Sequence, residues 1–181
     1  MFSFICELIT FKIFKFKLKG NFPVNKKIVV LVFPHTSNWD FVVAIGVRKL
    51  LGEEINFVIK KEFYNFFTTN FFNNLGGKPI DRRGKKNSVE KISQMFETNK
   101  TFRVAIAPEG TRKLVDNWKT GFYHIAVKSK CEILPVAFDW KKREIKIFEL
   151  FSPTLNLDND LKFLKSLFKG VQGKVANNSK L

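Results

Sequence analysis

The sequence predicts an α/β fold, a single domain whose largely parallel central sheet is flanked by helices. Three observations lead there. Residues Ile28-Val29-Val30-Leu31-Val32-Phe33 form an apolar, mostly β-branched run of the kind buried on both faces of a parallel sheet. Further short apolar runs alternate with stretches of helical length, the rhythm that builds βαβ units. No internal repeat and no linker interrupts the 181 residues, which suffice to bury one core.

Residues 1–20 form an apolar and basic N-terminal element. Phe2, Phe4, Ile5, Leu8, Ile9, Phe11, Ile13 and Phe14 make it apolar, and Lys12, Lys15, Lys17 and Lys19 follow. Two readings are open: an element lying in a membrane interface, or an ordinary helix packed on the core. Phe14 to Lys19 alternates apolar and basic residues, which fits a short edge strand. The domain proper spans 21–170. The strand over 28–33 is followed by a helix over 38–51, stopped by Gly52. A strand covers 55–60, and a Phe-rich helix over 62–75 ends at Gly76-Gly77. Asn87-Ser88 caps a helix over 88–99, and a buried strand over 102–107 ends at Pro108. A helix over 120–131, strands over 133–139 and 143–149, and an amphipathic helix over 158–169 complete the order. Pro135 reads as the start of a strand, where proline is tolerated. Residues 171–181 read as a polar, loose tail.

Composition bounds the function. The hydrophobic share of 45% excludes disorder, and 22 Phe residues suggest that some face an apolar partner. Lys and Arg number 32 against 16 Asp and Glu, for a net charge of +16. Only six of the basic residues are Arg, a bias that an AT-rich coding sequence also favours. The charge points to an anionic partner, whether nucleic acid, anionic lipid or phosphorylated substrate. Nucleic-acid readers gather basic and aromatic residues on one face. Here the lysines are spread along the chain, so no nucleic-acid partner is expected. Cys6 and Cys131 show neither metal-ligand spacing nor a disulfide framework, which suggests a reducing compartment and no metal. No run reaches the ~18 apolar residues of a membrane span. Residues 1–19 lack the basic n-region and small-residue cleavage site of a signal peptide.

The densest chemistry lies in His35-Thr36-Ser37-Asn38-Trp39-Asp40, directly after the first strand. Strand ends are where open α/β sheets place catalytic groups. On one helix, positions 35 and 40 would point roughly 140° apart, so the pair cannot share a helical face. The two side chains meet if His35 is in the loop and Asp40 in the first helical turn, with Ser37 or Asn38 as N-cap. A carboxylate there is also favoured by the helix dipole. Asp40 then fixes the tautomer of His35 and leaves the other ring nitrogen as a base.

Three more stretches carry candidate residues. Gly76-Gly77-Lys78-Pro79-Ile80-Asp81-Arg82-Arg83 reads as a turn opening into a basic cluster, whose arginines present forked donors suited to phosphate. Ala107-Pro108-Glu109-Gly110-Thr111-Arg112 follows the strand over 102–107. Its Gly110 permits a tight turn and close approach of a ligand, Thr111 and Arg112 can donate to an anion, and Glu109 can organise the arginine or accept from a hydroxyl. Leu134-Pro135-Val136 begins a strand. By contrast, His124 has no carboxylate at helical spacing and reads as helix surface or core. Trp118 either lines the site or packs the core.

These four stretches, in this order over 28–140, resemble the glycerophospholipid acyltransferase family. Its first motif is His, four residues, Asp, often with Ser two after the His, and His35, Ser37 and Asp40 match it. Ile80-Asp81-Arg82 matches the apolar-Asp-Arg core of the second. Pro108 to Arg112 matches the Pro-Glu-Gly-Thr-Arg of the third in full. Pro135 matches the proline of the fourth. Ala107 stands where Phe is frequent and Pro34 where Asn is frequent, and the N-terminal region is shorter than the long membrane helices of some relatives.

The resemblance implies an O-acyltransferase that moves a fatty acyl group from acyl-CoA or acyl carrier protein to a hydroxyl of a lysophospholipid such as 1-acyl-glycerol-3-phosphate. His35 is implied as general base and Asp40 as its orienting partner. Arg82, Glu109 and Arg112 are implied as holders of the acceptor's phosphate and glycerol, with Ser37, Gly110 and Thr111 shaping the pocket. No bound cofactor, metal or covalent intermediate is implied. The location implied is cytoplasmic, peripherally on the inner membrane face and against anionic lipids. Two alternatives stand beside this expectation: the same chemistry on glycerol-3-phosphate or an aminolipid, and a non-catalytic basic membrane-binding module.

Overall fold

The run Ile28–Phe33 lies at the centre of a seven-stranded sheet, and its alternation explains the layers around it. Val29, Leu31 and Phe33 point into one apolar cluster and Ile28 and Val30 into the other. Each of these buried apolar side chains contributes about 1.5–3 kcal/mol, so a segment apolar on both faces is driven to the middle of three layers. The structure, a computed structural model, describes every residue except 25, 81–84, 180 and 181, and the side chains of 85–87 also lie outside the description.

In chain order the elements are α1 (Phe2–Leu8), continued by a π-helical stretch (Ile9–Ile13), β1 (Lys17–Lys19), β2 (Ile28–Phe33), α2 (Trp39–Leu51) and β3 (Asn56–Lys60). Then come α3 (Thr69–Asn74), β4 (Gly77–Ile80), α4 (Lys85–Thr98) and β5 (Arg103–Ile106). The chain continues through α5 (Gly121–Lys128), β6 (Glu132–Asp139), β7 (Glu144–Ile147) and α6 (Leu157–Leu167). The sheet order is β1-β7-β6-β2-β5-β3-β4. Strands β6, β2, β5, β3 and β4 are mutually parallel, β7 is antiparallel to β6, and β1 runs parallel to β7. The predicted α/β class and largely parallel sheet are therefore observed. Residues from α4, α5 and α6 (Ile92, Phe96, Phe122, Ile125, Leu164) cover one face, while Val43 and Val47 of α2 cover the other. The α1 helix packs behind α2, where a Cβ on Gly46 would come 2.7 Å from the Cys6 carbonyl oxygen. Only glycine admits so close an approach between the two helices.

Several predicted elements differ in the structure. The single helix over 62–75 is broken into a 3-10 turn (Lys61–Phe63) and the short α3. Asn65 breaks it: its side-chain oxygen accepts from the N–H groups of Phe67 and Thr68, at 3.0 and 3.1 Å. This Asx turn competes with the helical ladder. The stretch after Gly76, read as a turn, forms the edge strand β4, where Pro79 needs no ladder partner on its outer side. Helix α4 begins at Lys85, so Asn87 and Ser88 lie within it rather than at its cap. Pro135 lies inside β6, not at its start. Its neighbours explain the tolerance. Ile133 bridges Phe151 while Val136 pairs with Ile147, so the register slips by one residue at the proline, and a bulge relieves the missing donor. The segment 171–179 is not loose. It is tied down by Trp140 N–H to the Gln172 carbonyl (2.8 Å) and Asn178 Nδ2 to the Arg112 carbonyl (2.9 Å).

Candidate active site

Parallel pairing of β2 with both β5 and β6 brings three chain segments to one edge of the sheet. The loop after β2 carries His35, the loop after β5 carries Glu109, and the end of β6 leads into Trp140. This is the carboxyl end of the parallel strands, where open α/β sheets place their ligands.

The predicted meeting of His35 and Asp40 occurs. Helix α2 starts at Trp39, with Asn38 at the N-cap position and Asp40 in the first turn. Asn38 makes no side-chain cap, and the Ser37 hydroxyl instead accepts from Trp39 N–H at 3.3 Å. His35 Nδ1 lies 3.4 Å from Asp40 Oδ2, which leaves Nε2 directed away from the carboxylate. Asp40 is only 2% exposed, while His35 is 32% exposed and open to a substrate. Asp40 does more than face the imidazole. Its Oδ2 accepts from the backbone N–H of Thr36 (2.7 Å) and Ser37 (2.8 Å), closing the loop around the carboxylate. Its Oδ1 accepts from Trp140 Nε1 at 2.7 Å. Three N–H donors thus hold one buried carboxylate in place, as a buried charge requires.

Glu109 approaches the same loop from the other side. Its Oε1 accepts from His35 N–H at 2.7 Å, and its Oε2 is buried without a partner among the described residues. The residue is 2% exposed. Burial pushes its carboxyl above the ordinary range, and the His35 and Glu109 backbone N–H groups work against that push. Glu109 therefore holds the backbone of His35, a contact that the motif alone does not reveal. Gly110 adopts φ +61, with its N–H on the Ala107 carbonyl, so the turn predicted there needs glycine's left-handed freedom. Thr111 is half-buried and Arg112 is exposed, both following this turn. The loop is closed by Lys119 N–H donating to the Pro108 carbonyl.

Arg82 lies outside the described residues. Trp118 proves to be core: it packs on Phe33, Phe122 and Phe168. His124 sits on the exposed face of α5. Two contributors were missed by sequence reasoning. Trp140 follows β6, and only the β6–β2 pairing brings it to Asp40. The tail segment is the other, since Val175 N–H donates to Thr36 Oγ1 at 3.1 Å and Gly173 lies against the Thr36 side chain. No cluster of three or more His, Cys, Asp and Glu suited to a metal exists among the described residues.

A solvent-exposed imidazole backed by a buried carboxylate suits proton abstraction from a hydroxyl. Comparison with known proteins agrees in kind. A family model described as Acyltransferase matches residues 14–139, well over half of the chain, and includes His35, Asp40 and Glu109 but neither Trp140 nor the tail. Among solved structures, the chain resembles the crystal structure of the 1-acyl-sn-glycerophosphate (LPA) acyltransferase PlsC from Thermotoga maritima, with a TM-score of 0.62 and 20% identity. The match covers 93% of this chain and 78% of that one, and at this identity it speaks for a shared fold. Comparison with curated protein sequences gives no significant match. The sheet that positions these residues and the family match agree, and the chain belongs to the acyltransferase family.

Proposed function

We propose that this enzyme transfers a fatty acyl group from an acyl thioester, acyl-CoA or acyl carrier protein, to a free hydroxyl of a lysophospholipid such as 1-acyl-glycerol-3-phosphate. The observation that carries the reading is the accessible His35 held against the buried Asp40 at the carboxyl end of the central strand β2. His35 Nε2 takes the proton of the acceptor hydroxyl while Asp40 keeps Nδ1 facing the carboxylate. The acceptor oxygen attacks the thioester carbonyl, the C–S bond breaks, and the proton passes from His35 to the departing sulfur. The thioester is already activated, so the transfer needs no covalent enzyme intermediate and no metal. Glu109 positions the base through the His35 N–H, and its Oε2, buried and without a partner among the described residues, meets the acceptor's glycerol only once a substrate reaches it. Arg82 and Arg112 hold the acceptor phosphate, and Ser37, Gly110 and Thr111 shape the pocket.

The enzyme acts at the surface of an anionic membrane, on its cytoplasmic side. Supporting this, Cys6 and Thr10 turn into the protein while Phe4, Ile5, Leu8 and Ile13 are exposed on the opposite side of the N-terminal helix. The buried face packs on the protein, and the exposed apolar face supports the membrane-interface reading of residues 1–20. Phe66 and Phe67, 90% and 87% exposed, extend the apolar surface, and Phe2 meets Phe71 at 5.1 Å to join the two parts. So much exposed apolar surface on a chain of charge +16 suits insertion among anionic headgroups. No helix among the described residues is long and apolar enough to cross a membrane.

The test is acyl transfer from labelled acyl-CoA and acyl carrier protein to a panel of lysophospholipids, glycerol-3-phosphate and aminolipids in mixed liposomes. Transfer by the wild type and its loss in His35→Ala support the assignment, and the best acceptor identifies the substrate. Transfer that survives His35→Ala removes His35 as the base. Liposome binding with no transfer to any acceptor moves the assignment to a non-catalytic membrane module.

A further inference from the structure

Beside Trp140 lies a concavity of about 240 Å³, bounded by Trp140, Lys141, Arg143, Lys174, Gln172 and Gly173. Its lining carries three cations and no carboxylate. None of the three forms an ion pair with a described residue. The nearby acids are engaged elsewhere: Glu144 pairs with Lys19, Asp139 accepts from the Lys142 N–H, and Asp40 is closed inside its loop. Two of the cations are also held in place. Arg143 Cζ lies 5.4 Å from the Trp140 ring centroid, and Lys174 Nζ lies 4.5 Å from it. Arg143 occupies a left-handed backbone position, φ +55, in the turn between β6 and β7. Lys174 sits on the tail segment between the Gln172–Trp140 and Val175–Thr36 hydrogen bonds. Positive charges gathered without counter-charge repel one another, and a bound anion relieves that repulsion.

We propose that this concavity is a phosphate-binding site, separate from the residues that hold the acceptor. Arg143 offers a fork to two phosphate oxygens, and Lys141 and Lys174 add point charges on either side. The volume admits a phosphate together with part of the group that carries it. A small soluble phosphate ester and an anionic lipid headgroup share this chemistry. The indole N–H of Trp140 is bonded to Asp40, so the same side chain that floors the phosphate site also contacts the catalytic loop. The proposal does not depend on the acyl acceptor or donor assigned above.

The experiment uses the full-length chain labelled with ¹⁵N and titrated with inorganic phosphate at constant ionic strength. The readout is the set of indole N–H resonances, with Trp140 identified by its disappearance in Trp140→Phe. A saturable shift of the Trp140 indole is expected. The combined variant Lys141→Gln, Arg143→Gln, Lys174→Gln loses that saturation or weakens it at least tenfold. The charge-matched control Lys49→Gln, Lys91→Gln, Lys100→Gln keeps it. The single variant Lys174→Gln shows an intermediate loss. Parallel titrations with CoA, with glycerol phosphate and with nanodiscs containing phosphatidylglycerol or only phosphatidylcholine separate a soluble ester from a lipid headgroup as the source. A shift that stays linear in phosphate, or one equally weakened by the control variant, overturns the site and leaves only diffuse charge.

Discussion

Trp140→Phe isolates one interaction, the indole donor to Asp40, while keeping an aromatic ring in place. Its cost can be worked from the surroundings. Asp40 is 2% exposed, so water cannot replace the lost donor, and Oδ1 has no other partner among the described residues. A hydrogen bond to a charged group is worth about 1.5–3 kcal/mol, and an abandoned buried acceptor sits at the upper end. Oδ2 keeps the Thr36 and Ser37 N–H groups, so the loop does not open completely. The edge contacts of Trp140 with Phe14 and Phe16, at 5.3 and 5.0 Å, are largely retained by phenylalanine. The expected loss is therefore about 2–3 kcal/mol. Urea unfolding followed by far-UV circular dichroism should show it as a lower midpoint at unchanged slope. In the transfer assay, kcat should fall while the KM for acceptor holds, because the loop that orients His35 is loosened and the acceptor contacts are not. Trp39→Phe is the control, since the Trp39 side chain is 43% exposed and donates to no described group. A loss below about 1 kcal/mol, or one equal to that of Trp39→Phe, would refute the account of Asp40 as a carboxylate held by three donors.

Three further outcomes are expected. Gly46→Ala forces its new methyl toward the Cys6 carbonyl and should cost about 1–3 kcal/mol. Hydrogen exchange should rise selectively over residues 2–13, and uniform loosening of the sheet would count against the α1–α2 contact as its cause. Glu109 has its pKa raised in the folded state, chiefly by burial, so the folded chain binds this proton more tightly than the unfolded one. Stability should then fall as pH rises from the ordinary Glu value through the raised one. Glu109→Gln should flatten that slope, and parallel wild-type and variant curves across the window would rule the effect out. Tyr123→Phe removes the 2.8 Å donor to Asp160, whose N–H and hydroxyl bonds from Thr154 remain. Burial pushes the Asp160 carboxyl up, but these bonds outweigh it and leave it below the ordinary range. Asp160 thus contributes stability that is present above its unfolded value and lost as pH falls through the folded one. The variant should cost about 1 kcal/mol at neutral pH and show a shallower acid loss.

The parts of the fold that were legible in the sequence are those written in local periodicity. The two-sided apolar run of β2, the loop at His35 and the stop at Gly52 each depend on residues a few positions apart, and each is observed. The meeting of His35 and Asp40 was legible for the same reason. What was not legible depends on strand order. Glu109 reaches the His35 N–H and Trp140 reaches Asp40 only because β5 and β6 flank β2, and no local pattern states that adjacency. Strand β4 was hidden because Gly77-Lys78-Pro79-Ile80 carries turn residues, which an edge strand accepts as readily as a loop does. The tail misled for a different reason. Its residues are polar and bury little, so it is ordered by individual hydrogen bonds to Trp140, Thr36 and Arg112 rather than by a hydrophobic stripe.

That tail also sets an order of events during synthesis. Residues 35–40 leave the ribosome early, but their partners arrive much later: Glu109, then Trp140, and last of all Val175, whose N–H fastens Thr36. A nascent chain that has emerged as far as β5 can pair β2 and offer Glu109 to His35, yet Asp40 still lacks its indole donor. Only when residues 172–178 clear the exit tunnel does the loop acquire its full set of contacts. A chain whose residues 172–178 are still unavailable should therefore hold the His35 loop less firmly and be a weaker catalyst than one that has made all of these contacts.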